Sequence, residues 1–380
     1  MPLTVVQALP ALDVGGVERG TLEVAAELVR RGHRSIVISA GGRLVDKLIS
    51  EGSEHFTMPI GNKSPMTLLE IRRLRSLLES ESASILHARS RLPAWIAYLA
   101  WRKMSGRSRC GFVTTVHGPY SVNRYSRIMM HGQRIIAISS FIRDYILKNY
   151  PDTDESRIRV IHRGVATNDF PRGYQPAENW QIKWRSEYPD FFKDRFIVTL
   201  PARITRWKGQ EDFIQVIRLA AQEGIPVHGF IAGGPHPRRH RFYQQLQGQV
   251  QKLDLDSRIT FLGHRNDLRE IMSVSDVVCS LAREPEAFGR TALEALCLGI
   301  PVIAYNHGGA SEVLAEMFPV GLVEPMNHAA AARKLVDFYR RRPGVTAENP
   351  FTLEKMLNKT ISVYEELNAE SGRDRNGAGA

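Results

Sequence analysis

Short apolar runs rich in β-branched residues alternate along this chain with longer segments of helical period, and that rhythm constrains the fold more than any other feature. In the first half, strands are expected over 4–8, 35–39, 84–87, 111–116, 134–138 and 158–161, with helices over 18–31, 67–80, 93–104 and 140–149. From Arg195 the rhythm restarts, with strands over 196–200, 227–232, 259–262, 277–280, 301–305 and 321–323. Alternating strands and helices build parallel sheets covered on both faces, so the expected class is α/β with two doubly wound domains. The 380 residues suffice for two such cores. The expected boundaries are a first domain over 1–170, a hinge over 171–194, a second domain over 195–355 and a C-terminal segment, 356–380. The hinge holds Pro171, Gly173, Pro176 and Pro189 around a short aromatic helix. The last segment is expected to be a helix packing back toward the first domain, ending in a disordered tail. The stretches 154–164 and 254–264 share an Asp turn, Ser-Arg-Ile, a strand and a glycine, an echo suggesting that each half ends or turns its sheet alike.

A hydrophobic share of 43% with 24% charged residues excludes a disordered or fibrous chain. Cys110, Cys279 and Cys297 are too scattered for a disulfide framework or a zinc cluster, which points to a reducing compartment. The opening residues read as a first strand rather than a signal peptide, and no apolar run approaches the ~20 residues of a membrane span. Charge is uneven. Residues 1–170 hold 24 basic against 15 acidic side chains, net +9 of the chain's +11, so the first half calls for an anionic partner.

In open α/β sheets ligands gather at the carboxyl ends of the strands, so motifs are sought just after them. After the first strand, Gly15 and Gly16 precede a helix start, a geometry that admits phosphate, although a tight turn explains the two glycines equally well. They do not complete a G-x-G-x-x-G fingerprint, so a nicotinamide cofactor is not indicated. After the first strand of the second half, Arg203 and Lys208 stand five residues apart in a loop closed by Gly209, a pair suited to clamping a diphosphate. The stretch 283–314 places Glu286 in a loop, Phe288 and Gly289 before a helix, and Glu294 about one turn inside it. Two carboxylates beside a phosphate-binding helix end would accept hydrogen bonds from sugar or ribose diols.

On these residues, with Thr114-Thr115-Val116-His117-Gly118, Ile138-Ser139, His162-Arg163-Gly164-Val165, Ala232-Gly233-Gly234-Pro235, Phe261-Leu262-Gly263 and Glu312, the chain resembles retaining glycosyltransferase family 4 over nearly its whole length. The resemblance implies the GT-B fold, two Rossmann-like domains facing a central cleft. It implies donor contacts from Gly15, Gly16, Arg203, Lys208, Gly233, Gly263, Phe288, Gly289, Arg290, Thr291 and Glu294. Arg203 and Lys208 would neutralise the departing diphosphate, Glu286 would bind donor-sugar hydroxyls and Glu294 the ribose. His117 would stand beside the reacting sugar, with Tyr120 and Arg124 on the acceptor side. Two departures are Arg163-Gly164-Val165-Ala166, where the family usually has Asn-Gly-Val-Asp, and Arg290, where an aliphatic residue is frequent; the second bears on donor choice.

The implied chemistry is hexose transfer from a UDP- or GDP-linked sugar, with no cofactor and no metal, the leaving phosphate taking the acceptor proton. Asp152 with Asp154 and Asp254 with Asp256 mimic a metal-binding Asp-x-Asp but fall in turns before strands and are read as turn formers. Trp95, Tyr98 and Trp101, followed by Arg102, Lys103, Arg107 and Arg109, would suit an anionic bilayer surface, although packing of the rings on the sheet is the preferred reading of that helix. With Arg72, Arg73, Arg75, Arg124, Arg127 and Arg134 they make the first domain basic. The expected acceptor is therefore an anionic glycolipid or lipid-linked oligosaccharide, as in lipopolysaccharide core or envelope glycan synthesis. The expected place is the cytoplasm, peripherally on the inner face of the membrane. The rivals are a nucleotide-sugar epimerase and a basic nucleic-acid-binding protein, the latter favoured only by a pI of about 9.7, so no nucleic-acid partner is expected.

Overall fold

The computed structural model describes residues 2–13, 15–105, 108–189, 195–234 and 240–377. The chain divides into two compact units, one of residues 1–162 with 354–380 and the other of residues 163–353.

Among the described residues, the first unit holds a seven-stranded parallel sheet in the order β3-β2-β1-β4-β5-β6-β7. Its strands are β1 (Thr4–Ala8), β2 (Arg34–Ser39), β3 (Glu54–Thr57), β4 (Ile85–Ala88), β5 (Gly111–Val116), β6 (Arg134–Ala137) and β7 (Ile158–Val160). Its helices are α1 (Gly16–Arg30), α2 (Val45–Ser50), α3 (Glu70–Ser80), α4 (Arg91–Arg102) and α5 (Ser140–Asn149). Leu22 and Ala25 of α1 and Leu48 of α2 pack with Val37 of β2 and with Leu9 and Leu12 beyond β1, which holds the two helices on the sheet.

In the second unit come α6 (Glu178–Glu187), β8 (Phe196–Leu200), α7 (Gln210–Gln222), β9 (Val227–Ala232), α8 (His240–Lys252), β10 (Ile259–Gly263) and α9 (Leu268–Ser273). There follow β11 (Val277–Ser280), α10 (Arg290–Leu298), β12 (Val302–Tyr305), α11 (Gly308–Met317), β13 (Leu322–Val323) and α12 (His328–Arg340). The sheet order is β10-β9-β8-β11-β12-β13. In each sheet the chain first winds one way from a central strand, then returns and winds the other way. The reversal falls between β1 and β4 in the first unit and between β8 and β11 in the second.

Strands read from apolar runs agree with the observed ones to within a residue, because parallel strands are buried on both faces. The reading missed β3, a half-exposed edge strand whose Glu54 pairs with Arg34 at 2.6 Å. The segment 171–194 carries α6, whose Trp184 is buried with Ile197, Phe230 and Leu262 in the core of the second unit. Residues 190–194 of that segment lie outside the described residues. The final helix, α13 (Leu353–Gly377), runs through the first unit's side of the division. Its Tyr364 hydroxyl meets His87 Nδ1 at 2.7 Å, and its Glu366 accepts from Arg134 at 2.8 Å and Arg159 at 2.7 Å. The tail expected to be disordered falls partly on 378–380, outside the described residues.

The repeated Asp-Ser-Arg-Ile stretches lead into β7 and β10, each at a sheet edge. The two are not equivalent, since β7 closes the winding that begins at β4 whereas β10 closes the winding that begins at β8. Asp154 caps its turn by accepting from Ser156 N at 2.9 Å, and Asp152 pairs with Arg127, so the first Asp-x-Asp is a turn former. Asp254 takes a left-handed φ of 54° in the turn before β10.

Candidate functional site

The reversal point of a doubly wound sheet leaves a crevice because the loops on its two sides turn away from each other. In the second unit the loop after β8 carries Arg203 and Lys208, and the loop after β11 carries Glu286. These are the loops flanking the reversal, and Lys208 Nζ lies 2.8 Å from Glu286 Oε1, both side chains largely buried. The ammonium also sits 4.4 Å above the Trp207 ring. Arg203 is exposed and makes no ion pair among the described residues, while Gln210 Nε2 donates to its carbonyl at 2.9 Å.

Both loops end in glycines that open a helix. Gly209 precedes α7 with φ 76°, and a Cβ there would lie 1.8 Å from the Leu281 carbonyl oxygen. Gly289 precedes α10 with φ 79°, and a Cβ there would meet Ala310 Cα at 2.6 Å. Only glycine satisfies the left-handed angle and the close approach together. The result is two helix N-termini, with N–H groups that have no acceptor within their own helix and with positive dipole ends, beside the lysine and arginine. Phe288 is buried and packs edge-on to Phe351, and Gly309 N donates to the Glu286 carbonyl at 2.7 Å, which braces this loop against α11. Thr291 and Glu294 follow in α10. Arg290 Nε reaches Glu294 Oε1 at 3.3 Å, so the unexpected arginine orients that carboxylate. Gly233 follows β9, backing onto the Ala202 carbonyl, and Gly263 ends β10; Pro235 lies outside the described residues.

Sequence reasoning missed the residue that ties the two loops together. Arg283 N donates to the Trp207 carbonyl at 2.7 Å, and its guanidinium donates to Asp212 at 2.7 and 3.0 Å and to Glu211 at 2.7 Å. Asp212 is buried in the first turn of α7, so Arg283 clamps the Lys208 loop to the Glu286 loop through backbone and side chain together. Its signal was faint, an arginine three residues before a glutamate.

In the first unit the reversal between β1 and β4 is flanked by Gly15-Gly16 and by Arg89. A Cβ on Gly16 would meet nothing within 4 Å, whereas one on Gly15 would touch the Glu18 carboxylate. Arg89, unremarked in the sequence, is 1% exposed beneath this edge and donates to Gln7 Oε1 at 2.5 Å; burial lowers its pKa. His117 follows β5 at the same carboxyl edge. Its backbone N–H donates to the Tyr120 hydroxyl at 3.2 Å, and Arg91 lies 4.8 Å over the Tyr120 ring. Arg124 is exposed in the loop beyond. Tyr98 and Trp101 of α4 lean on Phe112 of β5, Trp101 also donating to the Cys110 carbonyl at 2.7 Å, while Trp95 donates to the Tyr125 carbonyl of a surface loop at 3.0 Å.

Two parallel-sheet units, one with a cation-and-carboxylate site at its reversal point, define a two-domain α/β protein of the GT-B kind. The sequence model of Glycosyltransferase Family 4 matches residues 14–169, and that of Glycosyl transferases group 1 matches residues 184–347. A solved glycosyltransferase from Rickettsia africae ESF-5 is 32% identical, with 96% of this chain and 98% of that one covered and a TM-score of 0.82. The N-acetyl-alpha-D-glucosaminyl L-malate synthase of Bacillus anthracis is 24% identical over 95% of this chain and 96% of its own length. HepE of Anabaena, solved with UDP-glucose, is 18% identical with 99% of both chains covered and a TM-score of 0.72, which shows likeness of fold. The chain belongs to the family 4 glycosyltransferases.

Proposed function

We propose that this glycosyltransferase is a retaining enzyme that moves a hexose-type sugar from a UDP- or GDP-linked donor to a hydroxyl of an anionic, lipid-linked acceptor. The observation that carries the reading is the Lys208–Glu286 pair at 2.8 Å, set at the sheet reversal between two helix N-termini. Lys208, Arg203 and the α7 and α10 termini gather positive charge where a leaving diphosphate would develop negative charge. Glu286 then accepts donor-sugar hydroxyls, and Glu294, oriented by Arg290, accepts those of the ribose. The crystallised complex of HepE with UDP-glucose supports a nucleotide-sugar donor.

In the reaction the acceptor oxygen bonds to the anomeric carbon on the face from which the diphosphate leaves, and the carbon–oxygen bond to phosphate breaks. The acceptor proton passes to a diphosphate oxygen, so no protein base is required, and Arg203, Lys208 and the helix termini are proposed to supply the charge stabilisation in place of a metal. Gly15 and Gly16 are proposed to approach the donor phosphates, and His117, Tyr120 and Arg124 to serve the acceptor side.

The proposed setting is lipopolysaccharide core or envelope glycan synthesis at the inner face of the cytoplasmic membrane. Exposed Met66, Leu68 and Leu69 followed by Arg72, Arg73 and Arg75 of α3 support contact with an anionic bilayer. No helix among the described residues is long and apolar enough to cross a membrane. A thermal-shift screen against UDP, GDP and their sugars tests the donor, since a ligand bound to the native state raises its melting temperature. Stabilisation by neither nucleotide, or conversion of the donor sugar without any acceptor, would overturn the reading.

A further inference from the structure

Beside the Lys208 loop the second unit holds a hollow of about 490 Å³ lined by Arg206, Trp207, Arg241, Phe242, Arg283 and Glu284. That volume lies within the range of roughly 300 to 1,000 Å³ usual for small-molecule sites. Its three arginines are not equal. Arg283 is committed to Asp212 and Glu211, which makes it a rigid wall rather than a receiver of charge. Arg206 has no carboxylate partner among the described residues. Its guanidinium lies 4.8 Å over the Phe242 ring, and its Nη2 donates to Gln245 Oε1 at 3.1 Å, so neutral groups hold the cation in place with its charge uncompensated. Arg241, in the first turn of α8, is exposed and makes no ion pair among the described residues.

We infer that this hollow is a subsite for an anionic sugar, one bearing a carboxylate or a phosphate monoester. Arg206 and Arg241 receive the anion, by the charge-assisted forks that guanidinium groups make with carboxylate and phosphate. Glu284, the carboxylate of the lining, accepts from hydroxyls on the same ring. The indole of Trp207 supplies an apolar wall for the C–H face of the sugar. A bare phosphate would leave the indole and Glu284 unused, and a neutral sugar would leave two cations unpaired. In its biological sense, recognition of the acceptor, the inference rests on the transferase reading above; the binding itself does not.

The test is calorimetric titration of the full chain with glucose, glucuronate, glucose 6-phosphate and inorganic phosphate, each with and without saturating UDP or GDP. Glucuronate or glucose 6-phosphate should bind at least tenfold more tightly than glucose or phosphate, equally well with nucleotide present. Preference for one anionic sugar over the other distinguishes a carboxylate from a phosphate ligand. Arg241→Gln, at an exposed position, and the double variant Arg206→Gln/Arg241→Gln should erase that preference and leave nucleotide binding unchanged. Glu284→Gln should weaken the anionic sugar and not inorganic phosphate. Competition by UDP or GDP would make the hollow part of the donor site and overturn the inference. So would equal binding of glucose, equal binding of bare phosphate, or an Arg241→Gln protein with its preference intact. Failure of UDP and GDP to bind, with the sugar preference preserved, would sink the transferase reading and leave the subsite standing.

Discussion

The two sheet reversals use glycine for opposite reasons. In the second unit, Gly209 and Gly289 are required by the fold, for their backbones turn left-handed and press against a neighbouring main chain. In the first unit Gly16 opens α1 into empty space, where a side chain would meet nothing. A glycine that packing demands says little about a ligand, whereas one that packing does not demand leaves room for the phosphate proposed to approach there. The charges divide in the same way. The second unit places its lysine and glutamate face to face at the edge, while the first buries Arg89 beneath it against Gln7.

The sharpest way to break this comparison is Gly209→Ala. An added methyl group 1.8 Å from the Leu281 oxygen, at φ 76°, should cost at least about 3 kcal/mol in chemical denaturation through strain and overpacking. An unchanged midpoint would remove the structural reason for that glycine. Lys208→Ala should lower turnover by about 10²-fold or more through lost stabilisation of the leaving group, with little change in melting temperature. Turnover equal to that of the parent protein would remove the lysine from the chemistry.

Acid should loosen the second unit. Burial, with Arg195 nearby, pushes His228 of β9 down to about 3, so the folded state keeps it neutral while the unfolded chain protonates near pH 6.5. Its contribution to stability is present above pH 6.5 and is lost as the pH falls toward 3. Between pH 6.5 and 5 the loss should be about 2 kcal/mol, and His228→Gln should flatten that slope in denaturation measured across pH. The smallest effect on stability is expected of Gly16→Ala, which should leave it unchanged or raise it by up to about 1 kcal/mol, as alanine does in a helix. Its effect on nucleotide-sugar binding should be a loss, read in the same thermal-shift screen. Full binding would mean that the open space at Gly16 serves no ligand.

Much of the frame was legible in the sequence. Strands such as β12 are buried throughout, and a fully buried parallel strand appears as an unbroken apolar run. What escaped was the edge strand β3, whose polar residues pair across the surface, and the place of α6, whose Trp180 and Trp184 recur, with Tyr188 just beyond its end, at the four-residue spacing of a packed helix face. The aromatic spacing of α4 was equally plain, but only the contacts of Tyr98 and Trp101 with Phe112 of β5 decide that these two rings serve the sheet.

The sequence by itself determined which residue types follow which strands, because glycines and charges after apolar runs are local patterns. It also determined that two windings share the chain. Strand order was decided by the tertiary structure, and with it the pairings that join the two site loops. Lys208 meets Glu286 because β8 lies beside β11, and Arg283 reaches Asp212 for the same reason. Those partners lie some 70 to 80 positions apart in the chain, and no local periodicity carries information about which strand will be a neighbour.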